Sequence, residues 1–338
     1  MSPVRWGVLS TSEFAAGKFL PGLRKSSAIE VVAVASRDAE NAAKYASANA
    51  IPISYGSYEA LLADPSIEII YNPLPNHLHV EWTLKAAEAG KHVLCEKPMG
   101  IDAASLESLR VHTDRVHIEE AFMVRHHSQW TIVRDLVRSG GIGELTHAHI
   151  AFSYSNRDPA NIRNIAAVGG GALYDIGCYA VVAARWFFDA EIVRAVSLVD
   201  RDPDFGTDRR TSGLLDLGAG RTVQFTVSTQ SAPHQRVHLF GTTGRIEITI
   251  PFNQPQHAPT VYLTHDGSTL DGLDTTAHVV PVADQYQLLG EWFSAKVRNE
   301  QPTAAGLDDS IRTMAVLDAL FRSEHSARFE PVRHPVPM

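Results

Sequence analysis

The sequence predicts an α/β chain: a doubly wound, mostly parallel sheet, followed by an α+β domain with an open, largely antiparallel sheet. Two observations support this prediction. Short apolar runs alternate with helical patterns from Val4 to Met123, which is typical of a parallel sheet wrapped by helices. From Thr146 onward the segments become short, β-rich and often alternating, with Gly, Asp or Pro between them. We therefore expect two domains, at residues 1–123 and 124–338.

Composition excludes several classes of partner. The chain has 338 residues, of which 44% are hydrophobic, and this is enough to build two ordinary cores. Its 38 acidic residues outnumber its 30 basic residues, and no dense run of Lys and Arg interrupts the resulting formal charge of -8. We therefore expect neither a nucleic-acid backbone nor an anionic membrane as a partner.

The amino terminus, the apolar stretches and the cysteines together indicate a cytoplasmic protein. The first ten residues lack the basic stretch and the long apolar core of a signal peptide. The longest apolar stretches, Ala180 to Ala184 and Trp186 to Phe188, are shorter than the roughly 20 residues that span a bilayer. Cys95 and Cys178 are too few for a disulfide framework, so we expect two reduced, buried thiols.

The first segment has the order of a dinucleotide-binding unit. An apolar strand, Val4 to Leu9, is followed by the turn Ser10-Thr11-Ser12 and by a helical pattern to about Leu23. Gly7 is present, but serines occupy turn positions where glycines are usual. Serine leaves backbone N–H groups free for a phosphate and adds a hydroxyl, although its side chain prevents the closest approach.

The end of the second predicted strand bears on the choice of cofactor. Glu30 to Ala35 ends in Ser36-Arg37-Asp38. An acidic residue at such a strand end hydrogen-bonds the ribose of NAD, whereas an arginine accommodates the 2′-phosphate of NADP. Ser36 and Arg37 therefore favour NADP, with NAD as a possible second cofactor. The alternative is a solvated arginine at a helix start.

Two further strands end at the same predicted edge. Glu68 to Tyr71 leads into a proline-rich turn that ends at His79, and His92 to Cys95 ends abruptly in Glu96-Lys97-Pro98. Ligands bind at the carboxyl ends of strands in open parallel sheets. The alternative for Glu96 and Lys97 is an ion pair in a surface turn. The candidate cofactor residues are Ser10, Thr11, Ser12, Phe14, Ser36, Arg37, Leu74, Asn76, His79, Glu96 and Lys97.

A glycine-rich stretch, Gly169 to Tyr179, is the second candidate for chemistry. Its three consecutive glycines allow a tight turn into a helix, on which Asp175 and Tyr179 are four residues apart and so share a face. As an alternative, they are core polar groups satisfied by local partners. We expect no metal site, because His126 and His127 are adjacent and point apart.

These motifs resemble the Gfo/Idh/MocA oxidoreductases. The resemblance rests on Glu96-Lys97-Pro98, on the proline-rich turn through His79, on Glu120 to His126 and on Gly169 to Tyr179. It covers nearly the whole chain and is greatest for the subgroup that contains NADP-dependent D-xylose 1-dehydrogenase and dimeric dihydrodiol dehydrogenase.

The resemblance implies a Rossmann domain and an α+β domain whose open sheet forms a homodimer or a higher oligomer. It also implies that Lys97 is catalytic, that Tyr179 is the general acid/base and that Asp175 orients the substrate. This chain departs from many family members, which have His where it has Tyr179 and a second Asp where it has Val182. The tyrosine form is the one that the resembling subgroup uses.

The expected reaction is hydride transfer between NADP and the anomeric carbon of an aldose such as xylose or glucose. A phenol has an ordinary pKa near 10, so it needs a nearby cation such as Lys97 to act as a base at neutral pH. The alternatives are a trans-dihydrodiol dehydrogenase, a carbonyl or 1,5-anhydrofructose reductase, or a non-catalytic dinucleotide-binding regulator. The candidate substrate residues are Arg125, Phe152, Tyr154 and Arg163.

Overall fold

The computed structural model describes residues 2–299 and 306–333, and the chain divides into two compact units. Unit 1 comprises residues 1–123 and 284–311, and unit 2 comprises residues 124–283 and 312–338. The chain enters unit 2 between Met123 and Val124, where the sequence places the domain boundary. It then returns to unit 1 at Asp284, and this return differs from the predicted division, which assigns residues 284–311 to the second domain.

Within the described residues of unit 1, six parallel strands form one sheet in the order β3-β2-β1-β4-β5-β6. The strand order reverses between β1 and β4, and in doubly wound sheets ligands bind at such a switch point. The strands are β1 (Val4–Leu9), β2 (Ile29–Ala35), β3 (Ile53–Tyr55), β4 (Ile69–Asn72), β5 (His92–Cys95) and β6 (Ile118–Glu120).

Short helices connect these strands, and side-chain caps start several of them. Asp38, Ser57 and Asp102 each accept a hydrogen bond from a backbone N–H three residues later. The α-helices are α1 (Leu20–Leu23, continuing a π-helical turn Ala15–Phe19), α2 (Ala39–Ala48), α3 (Tyr58–Leu62), α4 (His79–Glu88) and α5 (Ala103–Leu106, followed by a 3₁₀ segment Glu107–His112). Two further 3₁₀ turns are Asn76–Leu78 and Met123–His126.

Unit 2 is built on a mixed, mostly antiparallel sheet that contains nine strands among the described residues. Among the strand pairs of this sheet that the structure describes, only β7 and β10 are parallel. The elements are α6 (Ser128–Arg138), β7 (Leu145–Ser155), α7 (Cys178–Phe188), β8 (Arg194–Arg201), β9 (Asp208–Asp216), β10 (Thr222–Ser228), β11 (Gln230–Gly241), β12 (Arg245–Ile248), β13 (Thr260–His265) and β14 (Thr275–Val280), with 3₁₀ turns Ile162–Asn164 and Ala166–Val168 and a π-helical turn Leu173–Gly177.

The two faces of this sheet differ. On β7, Ala148, Ile150 and Phe152 are buried on the side where α7 packs. The alternate residues His147 and His149 point to the other face and are more exposed. This is the one-sided burial that the alternating sequence predicts.

The helical segment 166–188 is long and apolar enough to cross a membrane by composition alone. However, 67% of its most apolar window is buried inside the protein, so it is a core helix of unit 2. The separate apolar runs noted in the sequence therefore belong to one buried helix.

The chain ends in α8 (Gln285–Val297), α9 (Leu307–Ser326) and β15 (Glu330–Pro331). Helix α8 belongs to unit 1 because Phe293 packs edge-on against Trp6, whose indole N–H donates to Ser294 Oγ at 3.2 Å. Asp284, which caps α8, pairs with Lys25 at 2.7 Å. These contacts explain why residues 284–311 pack with the first domain rather than the second.

Candidate active site

The turn after β1 has the geometry of a phosphate-binding site. Ser10 has φ = 71°, a left-handed conformation usually taken by glycine. The chain is helical from Glu13, and Ser12 Oγ accepts the Ala15 N–H at 3.3 Å. Among the residues that the structure describes, no acceptor binds the N–H groups of Ser12, Glu13 and Phe14. A free helix N-terminus of this kind fits the pyrophosphate of a dinucleotide.

Tyr45, which the sequence analysis missed, supports this turn from α2. Its hydroxyl donates to the Ser12 carbonyl at 2.8 Å, and burial raises its pKa to about 12. The phenol therefore stays protonated and remains a donor. No local sequence signal links two residues 33 positions apart.

The end of β2 places an exposed cation beside the same edge. Ser36 Oγ accepts the Asp38 N–H at 3.3 Å, and the Asp38 carboxylate caps α2 by accepting the Asn41 N–H at 2.8 Å. No acidic side chain in the described parts of the chain forms an ion pair with Arg37, which is exposed. Arg37 is therefore placed to meet an anionic group such as a 2′-phosphate.

His79, a predicted cofactor residue, lies at the end of the loop after β4, and its contact with the cofactor stays a prediction. It is fully buried, and its ring nitrogens lie 2.7 Å from the Pro98 carbonyl oxygen and 2.6 Å from the Leu74 carbonyl oxygen. Burial lowers its pKa to about 4. His79 therefore links the loop after β4 to the turn after β5, because its ring contacts the Leu74 carbonyl in the loop and the Pro98 carbonyl in the turn.

The other residues of the loop after β4 remain candidates. Leu74 is 5% exposed and Asn76 is half-buried in the turn Asn76–Leu78. The buried Asn72 side chain donates to the His79 carbonyl and to Thr83 Oγ1, both at 3.1 Å. These bonds fix the loop at the carboxyl end of β4.

The turn after β5 is anchored through Glu96. The Tyr71 hydroxyl donates to Glu96 Oε1 at 2.7 Å, and the Tyr71 ring stacks on Phe19 at 3.8 Å between ring centroids. Burial, and secondarily the Glu96 charge, raises the pKa of Tyr71 well above its ordinary value. Glu96 and Lys97 are both half-buried, and the Lys97–Pro98 peptide is cis. Glu96 is thus held by a buried donor, as a positioning group requires.

A second carboxylate supports the same turn. Glu120, at the end of β6, accepts the Met99 N–H at 2.8 Å. Glu120 belongs to a stretch that carries the family resemblance, but nothing in its sequence context predicts this contact. The backbone on both sides of Lys97 and Pro98 is therefore tied to the sheet edge.

In unit 2, the turn at residues 169–171 packs so closely against its neighbours that a side chain at Gly170 or Gly171 would clash. A Cβ at Gly170 would lie 2.6 Å from the Arg163 carbonyl oxygen. Gly171 has φ = 125°, and its N–H donates to the same Arg163 carbonyl at 2.9 Å. The π-helical turn Leu173–Gly177 follows directly and runs into α7.

Asp175, Tyr154 and Arg163 form one cluster. The Tyr154 hydroxyl donates to Asp175 Oδ2 at 2.6 Å, and Arg163 Nε lies 3.1 Å from the same oxygen. Burial, followed by the Asp175 charge, raises the pKa of Tyr154 above its ordinary value, so this phenol stays protonated. The structure therefore brings together three predicted site residues. The Asp175 carboxylate pairs with the Arg163 guanidinium and accepts a hydrogen bond from the Tyr154 hydroxyl.

Tyr179 lies at the start of α7, four residues after Asp175. It is 5% exposed, and its ring is edge-on to Phe152 at 5.9 Å and 5.4 Å from Phe252 between centroids. The intervening π-helical turn is wider than an α-helical turn but still leaves residues four apart on nearly the same face. Phe252 was missed, because it lies in a loop far along the chain.

The remaining candidates are placed as follows. Arg125 is half-buried in the turn Met123–His126, and the neighbouring His126 has a pKa lowered to about 3 by burial and by Arg125. Cys95 and Cys178 are buried free thiols, and burial raises the pKa of Cys95 well above its ordinary value. Within residues 2–299 and 306–333, no group of three His, Cys, Asp or Glu side chains could hold a metal ion.

A parallel sheet of this order, with an open helix N-terminus after its first strand, defines the doubly wound dinucleotide-binding class of proteins. Two family models match the chain. Residues 4–118 match the oxidoreductase family with an NAD-binding Rossmann fold, and residues 130–247 match the GFO/IDH/MocA C-terminal domain.

Individual relatives match over almost the whole chain. An uncharacterized oxidoreductase of Rhizobium meliloti is 44% identical over 98% of this chain and 100% of its own length. A D-xylose 1-dehydrogenase (NADP(+)) of Haloferax volcanii is 33% identical over 94% of this chain and 96% of its own. The crystal structure of a 3-ketoreductase from Actinomadura kijaniata with NADP and TDP-benzene superposes with a TM-score of 0.88, at 30% identity, over 95% of this chain and 98% of that chain.

The chain belongs to the Gfo/Idh/MocA oxidoreductase family. It is an NAD(P)-dependent oxidoreductase of the class that acts on CH–OH groups, and its cofactor is a nicotinamide dinucleotide, NAD(P). The names of several relatives, such as the D-xylose 1-dehydrogenase, specify a sugar substrate. The recognition made from the sequence is confirmed at the level of the family.

Removal of the Tyr71 hydroxyl tests whether this residue holds Glu96 in place. Tyr71→Phe deletes the donor to Glu96, and a hydrogen bond to a charged group contributes about 1.5–3 kcal/mol. We expect the free energy of unfolding to fall by about 2 kcal/mol in urea titrations. The NADP affinity should also fall, since Glu96, a proposed cofactor residue, is no longer held in place. Tyr55→Phe is the matched control, because it loses a 2.9 Å bond to the less buried Asp64; equal effects of the two variants on NADP affinity would contradict the assignment.

Proposed function

We propose that the chain is an NADP-preferring dehydrogenase that moves hydride between the cofactor and the anomeric carbon of an aldose of the xylose or glucose type, forming a lactone on oxidation. The observation that carries this proposal is the cluster of Asp175, Tyr154 and Arg163, in which Asp175 lies on the same helical segment as Tyr179. A carboxylate held by a phenol and a guanidinium can accept from substrate hydroxyls through its remaining lone pairs.

The proposed residues of the cofactor site fit a dinucleotide. The free N–H groups of residues 12–14 would hold the pyrophosphate, and Arg37 with Ser36 would hold a 2′-phosphate. The remaining proposed cofactor residues are Ser10, Thr11, Leu74, Asn76, His79, Glu96 and Lys97. When bound, the nicotinamide supplies a hydride acceptor for oxidation and a hydride donor for reduction.

We propose that Tyr179 is the general acid/base, which accepts the substrate's hydroxyl proton on oxidation and returns it on reduction. As the carbinol C–H leaves as hydride, the hydroxyl proton passes to Tyr179 and a C=O bond forms; reduction reverses these steps. A phenol with an ordinary pKa near 10 is a poor base at neutral pH, so we propose that the Lys97 ammonium favours the phenolate and hydrogen-bonds the developing alkoxide. Asp175 orients the sugar, and Phe152, Tyr154, Arg163 and Arg125 form the rest of its binding surface.

A second candidate is reduction of a keto group on a nucleotide-linked sugar. It is favoured by the likeness to the Actinomadura kijaniata structure, whose ligands are NADP and TDP-benzene. Oxidation of a trans-dihydrodiol, reduction of a carbonyl or of 1,5-anhydrofructose, and non-catalytic regulation through dinucleotide binding are the remaining alternatives. The two buried free thiols favour a cytoplasmic location.

A screen of cofactors against substrates separates these candidates. NAD and NADP are each combined with aldoses and trans-dihydrodiols, and NADH and NADPH with dTDP-keto-sugars and simple carbonyls, while the absorbance of reduced nicotinamide is followed. The proposal requires the highest kcat/KM for an aldose with NADP. A higher value for a dTDP-keto-sugar favours the second candidate, and tight NADP binding without turnover of any substrate favours a regulator.

Lys97→Met and Tyr179→Phe test the catalytic pair. Loss of an acid/base group costs on the order of a hundredfold to ten-thousandfold in rate, so we expect losses of that size in kcat for both variants. NADP binding should be largely retained, and the pH dependence of kcat should flatten in Tyr179→Phe. Lys85→Met is the control, because this lysine pairs with Glu81 on α4. Wild-type turnover in Lys97→Met, or an unchanged pH profile in Tyr179→Phe, would eliminate the corresponding role.

Arg37→Asp tests the cofactor preference. An acidic residue at this strand end repels a 2′-phosphate and can accept from a ribose hydroxyl, so kcat/KM for NADP should fall and that for NAD should rise. Lys44→Asp makes the same charge change on α2, where Lys44 is exposed and paired with Glu40, and should leave the ratio unchanged. If NADP affinity survives in Arg37→Asp, the 2′-phosphate lies elsewhere.

We further propose that the less covered sheet face of unit 2 binds a second copy of the chain. Leu198 on β8 is 79% exposed on this face, and the ring of His147 stacks on Phe240 with 4.5 Å between centroids. Leu198→Glu should shift sedimentation from dimer toward monomer, because it places a charge in an apolar contact. Val111→Glu, at another exposed apolar residue, should leave the dimer intact. A wild-type monomer, or a Leu198→Glu dimer of undiminished affinity, contradicts this assignment.

A further inference from the structure

Asp208, at the start of β9, is a buried acid to which the proposed mechanism gives no role. It is 2% exposed. Its Oδ2 accepts the Leu173 N–H at 2.7 Å and the Thr211 hydroxyl at 3.0 Å. Leu173 opens the π-helical turn that carries Asp175, so a side chain from the sheet is bonded to the first turn of the helical segment that carries the proposed site.

The contact depends on a glycine. A Cβ placed on Gly171 would lie 1.9 Å from Asp208 Oδ1, which is closer than any real contact. Gly171 also has φ = 125°, a backbone conformation that other residues rarely adopt. The Gly171 carbonyl in turn accepts the Asp175 N–H at 3.0 Å. The Asp208 carboxylate therefore occupies the space that the absent side chain leaves open, directly beside the backbone that holds Asp175.

Asp208 forms no ion pair with another residue within 2–299 and 306–333. Burial raises its pKa to about 7. Arg201 on the neighbouring strand opposes this shift, but its guanidinium forms its ion pair with Glu324, at 2.6 Å. The hydrogen bonds described for the Asp208 carboxylate come from neutral donors, and one of them is the N-terminus of the helical segment 172–188.

We propose that Asp208 is a positioning residue, which fixes the Asp175-carrying turn against the sheet by inserting its carboxylate into the gap at Gly171. This inference rests on the proposed function for its effect on the reaction. The anchoring itself does not depend on which substrate is used. Asp208 does not touch the reacting atoms in this account and acts through Leu173 and Gly171.

The first test compares Asp208→Ala with Asp208→Asn. The alanine variant leaves the Leu173 N–H without this acceptor, whereas the asparagine keeps an acceptor oxygen of the same shape. We expect Asp208→Ala to lower kcat and raise KM for the sugar, together by about tenfold to a hundredfold in kcat/KM, since small misplacements of positioning groups have effects of that size. KM for NADP should stay unchanged, and Asp208→Asn should restore most of the activity.

The second test measures anchoring without any substrate. Amide hydrogen exchange in the segment 172–179 should accelerate in Asp208→Ala and return toward the wild-type rate in Asp208→Asn. Asp216→Ala is the matched control: this aspartate ends the same strand and binds Arg194 and the Gly218 N–H, so its loss should leave segment 172–179 unchanged. If Asp208→Ala does not fold, Thr211→Val removes one donor to Asp208 and should accelerate exchange to an intermediate extent.

The third test is a double-mutant cycle with Gly171→Ala. The new methyl group must displace Asp208 in the wild-type background but meets an open space in Asp208→Ala, so the two substitutions should be strongly non-additive in thermal unfolding. Wild-type exchange in segment 172–179 of Asp208→Ala, or an additive cycle, overturns the inference. If the cycle is non-additive but the wild-type chain has no dehydrogenase activity, the proposed function is wrong and the anchoring by Asp208 still holds.

Discussion

A carboxylate that leaves bulk water needs hydrogen-bond donors, and in both units a tyrosine hydroxyl is one of them. Tyr71 donates to Glu96 at 2.7 Å in unit 1, and Tyr154 donates to Asp175 at 2.6 Å in unit 2. The pKa of each phenol is raised by burial and by the carboxylate itself, so neither competes for the role of base. Each acid is thereby fixed beside the residue proposed to do chemistry, Lys97 in one case and Tyr179 in the other.

Much of unit 1 follows from local sequence. Strand–turn–helix order, the helix caps at Asp38 and Ser57, and the ends of β4 and β5 at one sheet edge are all consequences of residues close in the chain. The serine turn illustrates the limit of such reasoning. Serine at position 10 takes the left-handed backbone of a glycine, φ = 71°, and the sequence alone does not specify this. The open N–H groups that follow are what make the turn suitable for a phosphate.

The residues that sequence reasoning missed or misplaced depend on distant contacts. Tyr71 meets Glu96 from 25 positions away, and Asp208 meets Leu173 from 35 positions away. The burial of His79 between the backbone carbonyls of Leu74 and Pro98 likewise depends on how two separate loops fold. The return of residues 284–311 to the first unit likewise follows from packing on Trp6, and no linker-like composition announces it.

In the reaction that we propose, hydride passes directly between the sugar's anomeric carbon and the nicotinamide. The most direct test uses an aldose that carries deuterium at the anomeric carbon. NADP is used to oxidise this sugar, and the mass of the reduced cofactor is measured by mass spectrometry. The account predicts one deuterium in each molecule of NADPH formed and a lower kcat/KM for the deuterated sugar. Reduced cofactor without deuterium, or no reduction with any aldose, would contradict it.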